Sequence, residues 1–202
     1  MNYFVTAIGT DSGKTLVAAI LCTALEADYW KPIQAGLPSD SDTVKNLVDS
    51  GSTVHPETHI FKTPASPHAA AALENVRIKL EDFIVPKHKK DLIIEGAGGC
   101  LVPLNDQDFV IDLATLFQAQ VILVSNLYLG SINHSLLSYE ALRQRNLKVK
   151  GIIFNGPPNV ESERIILHHT NLPCLLSVEP EEYINKNTVQ KYAKKLIAKW
   201  NG

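Results

Sequence analysis

The sequence predicts an α/β protein in which a mostly parallel β-sheet carries helices on both faces, in one domain over residues 1–202. Short apolar runs alternate along the chain with segments whose apolar residues recur at helical spacing. The apolar runs lack a clean polar alternation, which is typical of parallel strands buried on both faces. Two of these runs end beside Asn or Gly, and such sheets bind ligands at the carboxyl ends of their strands.

Seven segments define the main predicted elements. The strands are YFVTAI, DLIIEG, AQVILVSN and VKGIIFNG, and the helices are TLVAAILCTALEA, INHSLLSYEALRQRN and the amphipathic TVQKYAKKLIAKW near the end of the chain. Residues 35–90 are looser and contain five prolines. We interpret that region as excursions on the same domain rather than as a second domain.

The composition is that of an ordinary soluble protein, with 45% hydrophobic and 20% charged residues. The formal charge of -2 argues against a nucleic-acid partner held by a basic surface. No apolar run reaches the roughly 20 residues of a membrane helix, and the N-terminus has no signal pattern. The three cysteines lack C-x-x-C spacing, which indicates a reducing compartment and no structural zinc. We therefore expect a cytoplasmic protein with no membrane partner.

A phosphate-binding loop is the strongest single motif. Gly13-Lys14-Thr15 follows an apolar strand and opens a helix, the context in which backbone N–H groups face an anion. In such a loop Lys14 would reach the β- and γ-phosphates, and the Thr15 hydroxyl would ligate Mg²⁺. The standard pattern has glycine five residues before the second glycine, and this chain has Ile8 there. A surface turn that contains the triplet by chance is the alternative.

Three charged side chains stand near predicted strand or helix ends. Glu95 ends a buried strand before three glycines in four residues, a place where phosphate-loop enzymes often hold the metal. Lys31 ends a short strand before a proline, and Asp42 lies near the start of a helix. Taken singly, the alternatives are a solvated glutamate, a surface lysine and a helix cap.

Six short motifs in fixed order resemble the dethiobiotin synthetase family: GTDSGKT, KPIQAG, SDSD, TPASPH, EGAGG and LGSINH. With the flanking segments YFVTAI and IIFNGPP, the resemblance covers roughly residues 3 to 155. The family has its own version of the phosphate loop, which accounts for the missing first glycine. The resemblance implies a P-loop NTPase-like single domain, and it implies an ATP-dependent cyclo-ligase. The substrates would be 7,8-diaminononanoate, CO₂ and ATP. One amine becomes a carbamate, ATP phosphorylates it, and the second amine closes the ureido ring.

The resemblance also implies a set of site residues and a homodimer. Catalysis would involve Lys14, Lys31 and Thr10, and the nucleotide would contact Asp11, Ser12, Gly13, Lys14, Thr15 and Asn155, the last on the adenine. Mg²⁺ would be held by Thr15, Asp42 and Glu95. The diamine would contact Lys31, and its carboxylate would bind Gly130, Ser131, Ile132 and Asn133 at a helix N-terminus across two facing subunits.

Two positions depart from the family pattern. Ala35 follows KPIQ, where better-known members carry a serine near the substrate. The later stretch LPCLLSVEPEEY has Ser177 and Val178 where members often have P-x-L-G-x-I-P beside the base. The second departure leaves the choice of nucleotide triphosphate open.

Two other kinds of protein share parts of these motifs. A partition or septum-site ATPase, acting as a nucleotide switch, has the same sheet and a deviant loop, but usually a second lysine early in it. Residues 7–9 here are Ala-Ile-Gly. The basic amphipathic tail keeps a membrane-targeting role open, although a packed last helix is the simpler interpretation. A glutamine-dependent amidotransferase of cobalamin synthesis would need a glutaminase domain, for which the chain is too short.

Overall fold

The structure is a computed structural model that describes residues 1–200; the last two residues of the predicted 1–202 domain lie outside the described part. Residues 1–200 contain nine strands: β1 Asn2–Ala7, β2 Asp28–Trp30, β3 Ile33–Ala35, β4 Val54–His55, β5 His59–Phe61, β6 Leu92–Glu95, β7 Gln120–Asn126, β8 Val149–Asn155 and β9 Cys174–Val178. Seven of them form one parallel sheet in the order β4-β2-β6-β1-β7-β8-β9. The other two, β3 and β5, form a small parallel sheet of their own.

The described part of the chain has seven α-helices: α1 Lys14–Leu25, α2 Asp40–Leu47, α3 Pro67–Leu73, α4 Asp112–Leu116, α5 Ser131–Gln144, α6 Val160–Thr170 and α7 Lys186–Trp200. The first six lie between strands, and α7 follows β9. Helices α1, α2 and α7 pack together on one face of the main sheet, while α3 to α6 contribute to the core on the other face. Each of the seven elements named from the sequence begins and ends within two residues of its prediction. The predicted fold class is confirmed.

The core consists of two apolar layers, one on each face of the sheet, and successive strand residues belong to opposite layers. In β1, Val5 lies in the layer under α1 and α7, and Phe4 lies in the layer on the opposite face. In β6, Ile93 and Ile94 divide in the same way. Because both faces are covered, both sets of side chains must be apolar, and this explains why the strands read as continuous apolar runs.

The proline-rich region between residues 35 and 90 folds over the carboxyl ends of the central strands. It begins at the last residue of β3 and contains α2, β4, β5 and α3, and Phe61 of β5 and Ala70 of α3 anchor it in the second core layer. None of the helices found in residues 1–200 combines the length and apolar character required to cross a membrane. One face of α7 is basic, and its opposite face packs against the core: Val189 and Leu196 are fully buried in the apolar layer under α1 and α7.

Candidate active site

The phosphate loop joins β1 to α1 and closes back on itself. Gly13 has φ of 89°, a left-handed conformation that favours glycine, and Lys14 begins the helix. The Lys14 Nζ donates to the Gly9 carbonyl oxygen at 3.2 Å, and the Ser12 hydroxyl donates to the same oxygen at 3.1 Å. Ile8, at the position of the missing glycine, continues the pairing of β1 through its N–H to Val124 O at 3.1 Å. Ile8 does not have a positive φ, so this position has no need of glycine's conformational freedom.

Two asparagines at the ends of neighbouring strands brace this loop. Asn126, at the end of β7, accepts the Ser12 hydroxyl at 2.9 Å, and Asn155, at the end of β8, donates to the Ser12 carbonyl oxygen at 3.0 Å. A Cβ on Gly13 would clash with the Asn155 amide, so glycine is required there on two counts. Asn126 was missed in the sequence, although an amide at a strand's carboxyl end was the available signal. The base contact assigned to Asn155 stays a prediction.

A buried carboxylate stands beside the loop at the end of β6. Glu95 is 1% exposed, and its Oε1 accepts from Thr15 Oγ1 and from Lys31 Nζ, each at 3.0 Å. Its Oε2 accepts from the Tyr29 hydroxyl at 2.8 Å. Burial, followed by the negative charge of Glu95, raises the pKa of Tyr29 well above its ordinary value, so Tyr29 remains a proton donor. Glu95 is thus a fixed acceptor and not a solvated strand end.

Lys31 is enclosed by two carboxylates. Its amino group pairs with Asp40 as well as Glu95, and it also donates to the Gly96 carbonyl oxygen at 3.5 Å. Burial alone lowers the pKa of Lys31, but Glu95 and Asp40 together raise it by more, and the net shift is upward. Lys31 therefore stays positively charged although its side chain is 4% exposed.

Lys14 has the opposite tendency. Burial, followed by repulsion from Lys31, lowers the pKa of Lys14 to about 8, and the negative charges of Glu95, Asp40 and Asp11 offset this only in part. Its hydrogen bond goes to a neutral carbonyl oxygen rather than to an acid. An anion placed in the loop would supply the missing countercharge.

The acidic start of α2 is placed differently from the sequence prediction. Asp42, the predicted metal ligand, is exposed, whereas Asp40 lines the cavity and pairs with Lys31. Helix α2 begins at Asp40, and Ser39 caps it by accepting the Ser41 N–H at 3.1 Å. Positions two apart on a helix do not share a face, so only one of the two aspartates can turn to Lys31.

These groups surround one cavity of about 660 Å³. It brings together most of the predicted loop residues, Lys31 and Glu95 with residues from the proline-rich region. Its lining consists of Thr10, Asp11, Gly13, Lys14, Thr15, Lys31, Ile33, Gln34, Ala35, Asp40, Pro64, Ala65, Ser66, Pro67, Glu95, Ala97, Gly98 and Val102. Gln34, Asp40 and Ser66 are polar lining residues that lie within the motifs KPIQAG, SDSD and TPASPH, but the sequence prediction assigned them no role in the site.

The segment 130–133 lies outside the lining of that cavity, at the start of α5. Gly130 has φ of 109°, Ser131 is buried, and Ile132 and Asn133 are exposed. Within residues 1–200 the Ser131 hydroxyl has no hydrogen-bond partner. A second cavity of about 300 Å³ begins beside it at His134 and shares Thr10 and Val102 with the first. Within one chain, therefore, the predicted carboxylate site is separate from the two lysines.

The fold and the loop define a class: a phosphate-loop, nucleotide-binding α/β protein. The family described as an AAA domain matches residues 1–188. Solved structures with the same fold are distant. They include the septum site-determining protein complexed with Mg-ADP from Pyrococcus horikoshii OT3, at 15% identity and a TM-score of 0.58, covering 99% of this chain and 93% of that one. A ParA family ATPase from Chlorobium tepidum TLS has 13% identity and a TM-score of 0.55, covering 98% and 95%.

Similarity in sequence is much higher to another group. An ATP-dependent dethiobiotin synthetase of Cytophaga hutchinsonii is 61% identical over 202 residues, covering 98% of both chains. One from Christiangramia forsetii is 45% identical over 197 residues, covering 96% of this chain and 95% of that one. The chain belongs to the dethiobiotin synthetase family. The resemblance drawn from the motifs is confirmed, and the partition and septum-site ATPases share the fold alone.

The low pKa of Lys14 predicts that nucleotide binding takes up a proton. Phosphate charge favours the protonated amine, so at pH 8.5 binding should take up about 0.7 proton, falling towards zero near pH 6.5. Calorimetry of ADP binding in buffers of different ionisation enthalpy measures this uptake.

The Lys14→Arg variant is the control, because a guanidinium stays charged throughout this range. Equal uptake by the wild type and Lys14→Arg at pH 8.5 would show that another group takes up the proton.

Proposed function

We propose that the larger cavity closes the ureido ring of dethiobiotin from 7,8-diaminononanoate, CO₂ and ATP, as a cyclo-ligase. The observation that carries this proposal is the buried group of Lys31, Asp40 and Glu95 facing the phosphate loop, in a chain of this family. A nucleotide site needs Lys14 and Thr15. A second lysine held charged within the same cavity supports a reaction with a second anion.

The chemistry has three steps whose charges match the residues present. An amine adds to CO₂ and loses a proton to give a carbamate anion. A carbamate oxygen then attacks the γ-phosphorus, and ADP leaves. The second amine attacks the carbon of this mixed anhydride, phosphate leaves, and the ring closes. Phosphoryl transfer depends mainly on positioning and on neutralising charge, which cationic side chains in a closed site supply.

Each lysine then has a distinct role. Lys14, beside the loop's N–H groups, pairs with the terminal phosphates, and its depressed pKa rises as they bind. Lys31, charged whether or not a ligand is present, holds the carbamate oxygens towards the γ-phosphate. Thr10 and Asp11 are exposed residues of the cavity lining and would contact the amines or the phosphates.

A magnesium ion fits the oxygen donors on this edge of the sheet. Mg²⁺ takes hard oxygen ligands and is usually held by one or two carboxylates together with substrate phosphates. Thr15 Oγ1 lies 3.0 Å from Glu95 Oε1, and Asp40 reaches the same group through Lys31. We assign the carboxylates to Glu95 and Asp40, replacing the predicted Asp42. When bound, the ion neutralises charge on the β- and γ-phosphates.

A homodimer would complete the site. The segment 130–133 is separated from the lysines within one chain, so a partner's segment is the one that would hold the substrate's carboxylate. Around it are exposed apolar side chains: Leu101, Tyr128, Leu129, Ile132 and Leu137. Leu129 is fully exposed, and a group of this kind is typical of a protein interface. The buried Ser131 hydroxyl, which has no hydrogen-bond partner among residues 1–200, and the N–H groups of α5 suit a carboxylate.

The direct test is product formation. Purified protein incubated with 7,8-diaminononanoate, bicarbonate, Mg²⁺ and ATP should yield dethiobiotin, identified by mass spectrometry, with one ADP and one phosphate per product. Lys31→Met should bind nucleotide yet form no product, because it lacks the charge that holds the carbamate. Steady ATP hydrolysis without dethiobiotin would indicate a nucleotide switch instead.

Asp40 and Asp42 provide a matched pair for the metal assignment. Asp40→Asn should raise the Mg²⁺ concentration for half-maximal turnover by at least about tenfold, the cost of losing even an outer-shell partner of a metal. Asp42→Asn removes the same charge from the exposed face of the same helix and should change it less than about twofold. Mg²⁺ titrations of ring closure measure both values, and the reverse order would restore Asp42 as the ligand.

Asn133 tests the carboxylate site and the dimer together. Asn133→Ala should raise the KM for the diamine by about tenfold or more, since a hydrogen bond to a charged group is lost, with little change in the KM for ATP. Asn187→Ala, an exposed asparagine in the first turn of α7, is the control and should leave both constants unchanged. The wild type should sediment as a dimer; a fully active monomer would contradict the arrangement.

A further inference from the structure

The buried side chain of Gln34 spans the loop that connects β3 to α2. It is 5% exposed and lies in the wall of the larger cavity. Its Oε1 accepts the backbone N–H of Asp40 at 3.1 Å, and its Nε2 donates to the Gly36 carbonyl oxygen at 2.9 Å. Both ends of the carboxamide are therefore used, one at each end of the loop. The side chain fixes where α2 begins relative to β3.

The residue that Gln34 holds is the one whose carboxylate reaches the reaction centre. Asp40 is the first residue of α2, and its side chain pairs with Lys31. Within the ten residues from Lys31 to Asp40, the chain is therefore closed by two contacts. The Asp40 N–H donates to Gln34, and the Asp40 carboxylate pairs with Lys31. A shift of the Asp40 backbone would carry its carboxylate away from Lys31, because a short side chain cannot compensate.

The cap of the same helix is anchored separately. The Ser39 hydroxyl accepts the Ser41 N–H and donates to Glu57 Oε1 at 2.6 Å, so the helix start is tied to the β4–β5 connection as well. These bonds stabilise the first turn but do not touch the Asp40 N–H. Among residues 1–200, the Asp40 N–H is accepted by Gln34 Oε1, which separates helix capping from carboxylate placement.

We propose that Gln34 is a positioning residue that sets the Asp40 carboxylate against Lys31 and, through it, the magnesium requirement of the reaction. This inference rests on the proposed function of the cavity. Gln34 acts through Asp40 and makes no contact with a reacting atom. A neutral amide suits the task, since it can accept and donate at once, and because it adds no third negative charge beside Lys31.

The test uses Gln34→Met, which keeps the length and volume of the side chain but removes both hydrogen bonds. The affinity of ADP is measured by calorimetry with and without Mg²⁺. In the wild type the ion should tighten binding; in Gln34→Met that gain should fall by about tenfold, a loss typical of a metal site whose supporting partner is removed. Metal-free ADP should bind both proteins alike. These ADP affinities can be measured even if the protein forms no dethiobiotin. The proposal for Gln34 and the proposed function of the cavity can therefore fail independently.

A second measurement locates the change. Hydrogen exchange should accelerate in peptides that cover residues 39–44 and stay unchanged around Glu95. Gln34→Glu keeps an acceptor for the Asp40 N–H but loses the donor to Gly36, and it should lie between the wild type and Gln34→Met. Asn2→Ala is the matched control. The side-chain amide of Asn2 also braces a loop, by donating a hydrogen bond to Phe117 O at 3.0 Å, but at the opposite end of the sheet.

Two results would overturn the proposal. One is a Gln34→Met protein whose Mg²⁺ gain and exchange equal those of the wild type. The other is a raised KM for the diamine with an unchanged Mg²⁺ response, which would make Gln34 a direct substrate contact. If Gln34→Met does not fold, the same comparison is made with Gln34→Glu against Asn2→Ala.

Discussion

The buried carboxylate of Glu95 is the interaction on which the rest of the site depends. It accepts from Thr15 at the start of α1, and from Tyr29 and Lys31 at the end of β2. A carboxylate in this position is tolerated only because all three donors are present, and removing one partner of a buried pair commonly costs about 3–5 kcal/mol. Glu95 thereby fixes the phosphate-loop helix and the second lysine to the same point at the end of β6.

The order of the strands explains why these donors meet. In the sheet, β6 lies between β2 and β1, so the residues that follow the three strands emerge side by side at one edge. The phosphate loop leaves β1, Glu95 ends β6, and Lys31 follows β2. Sequence separations of 64 and 80 residues from Glu95 to Lys31 and Thr15 are thereby reduced to 3.0 Å. The proline-rich region then covers this edge and supplies the remaining wall of the cavity.

The sequence predicted the parts of the molecule that local pattern determines. The strands, the helices and the loop residues from Thr10 to Thr15 follow from apolar periodicity and from one motif, and they meet in the structure as expected. The sequence predicted Asp42, whereas Asp40 faces the cavity. Which of the two aspartates does so depends on the residue at which α2 begins, and pattern fixes helix ends only to within a residue or two. Gln34 and Asn126 were missed because each acts through a hydrogen bond whose partner is visible only in the folded chain.

The two lysines show how one cavity prepares two cationic groups for different anions. Both are buried, and burial alone lowers the pKa of each. Lys31 contacts two carboxylates, which keep it protonated but also already neutralise much of its charge. Within the described residues, the Lys14 amino group donates a hydrogen bond only to a carbonyl oxygen. The positive charge of Lys31 lowers the pKa of Lys14 further. An incoming phosphate therefore stabilises the protonated form of Lys14 most. Lys31 is already protonated before any ligand binds, so it can hold a weaker anion such as a carbamate. A site built only to sense a nucleotide requires the first of these lysines; a site that joins a nucleotide to a second anion requires both.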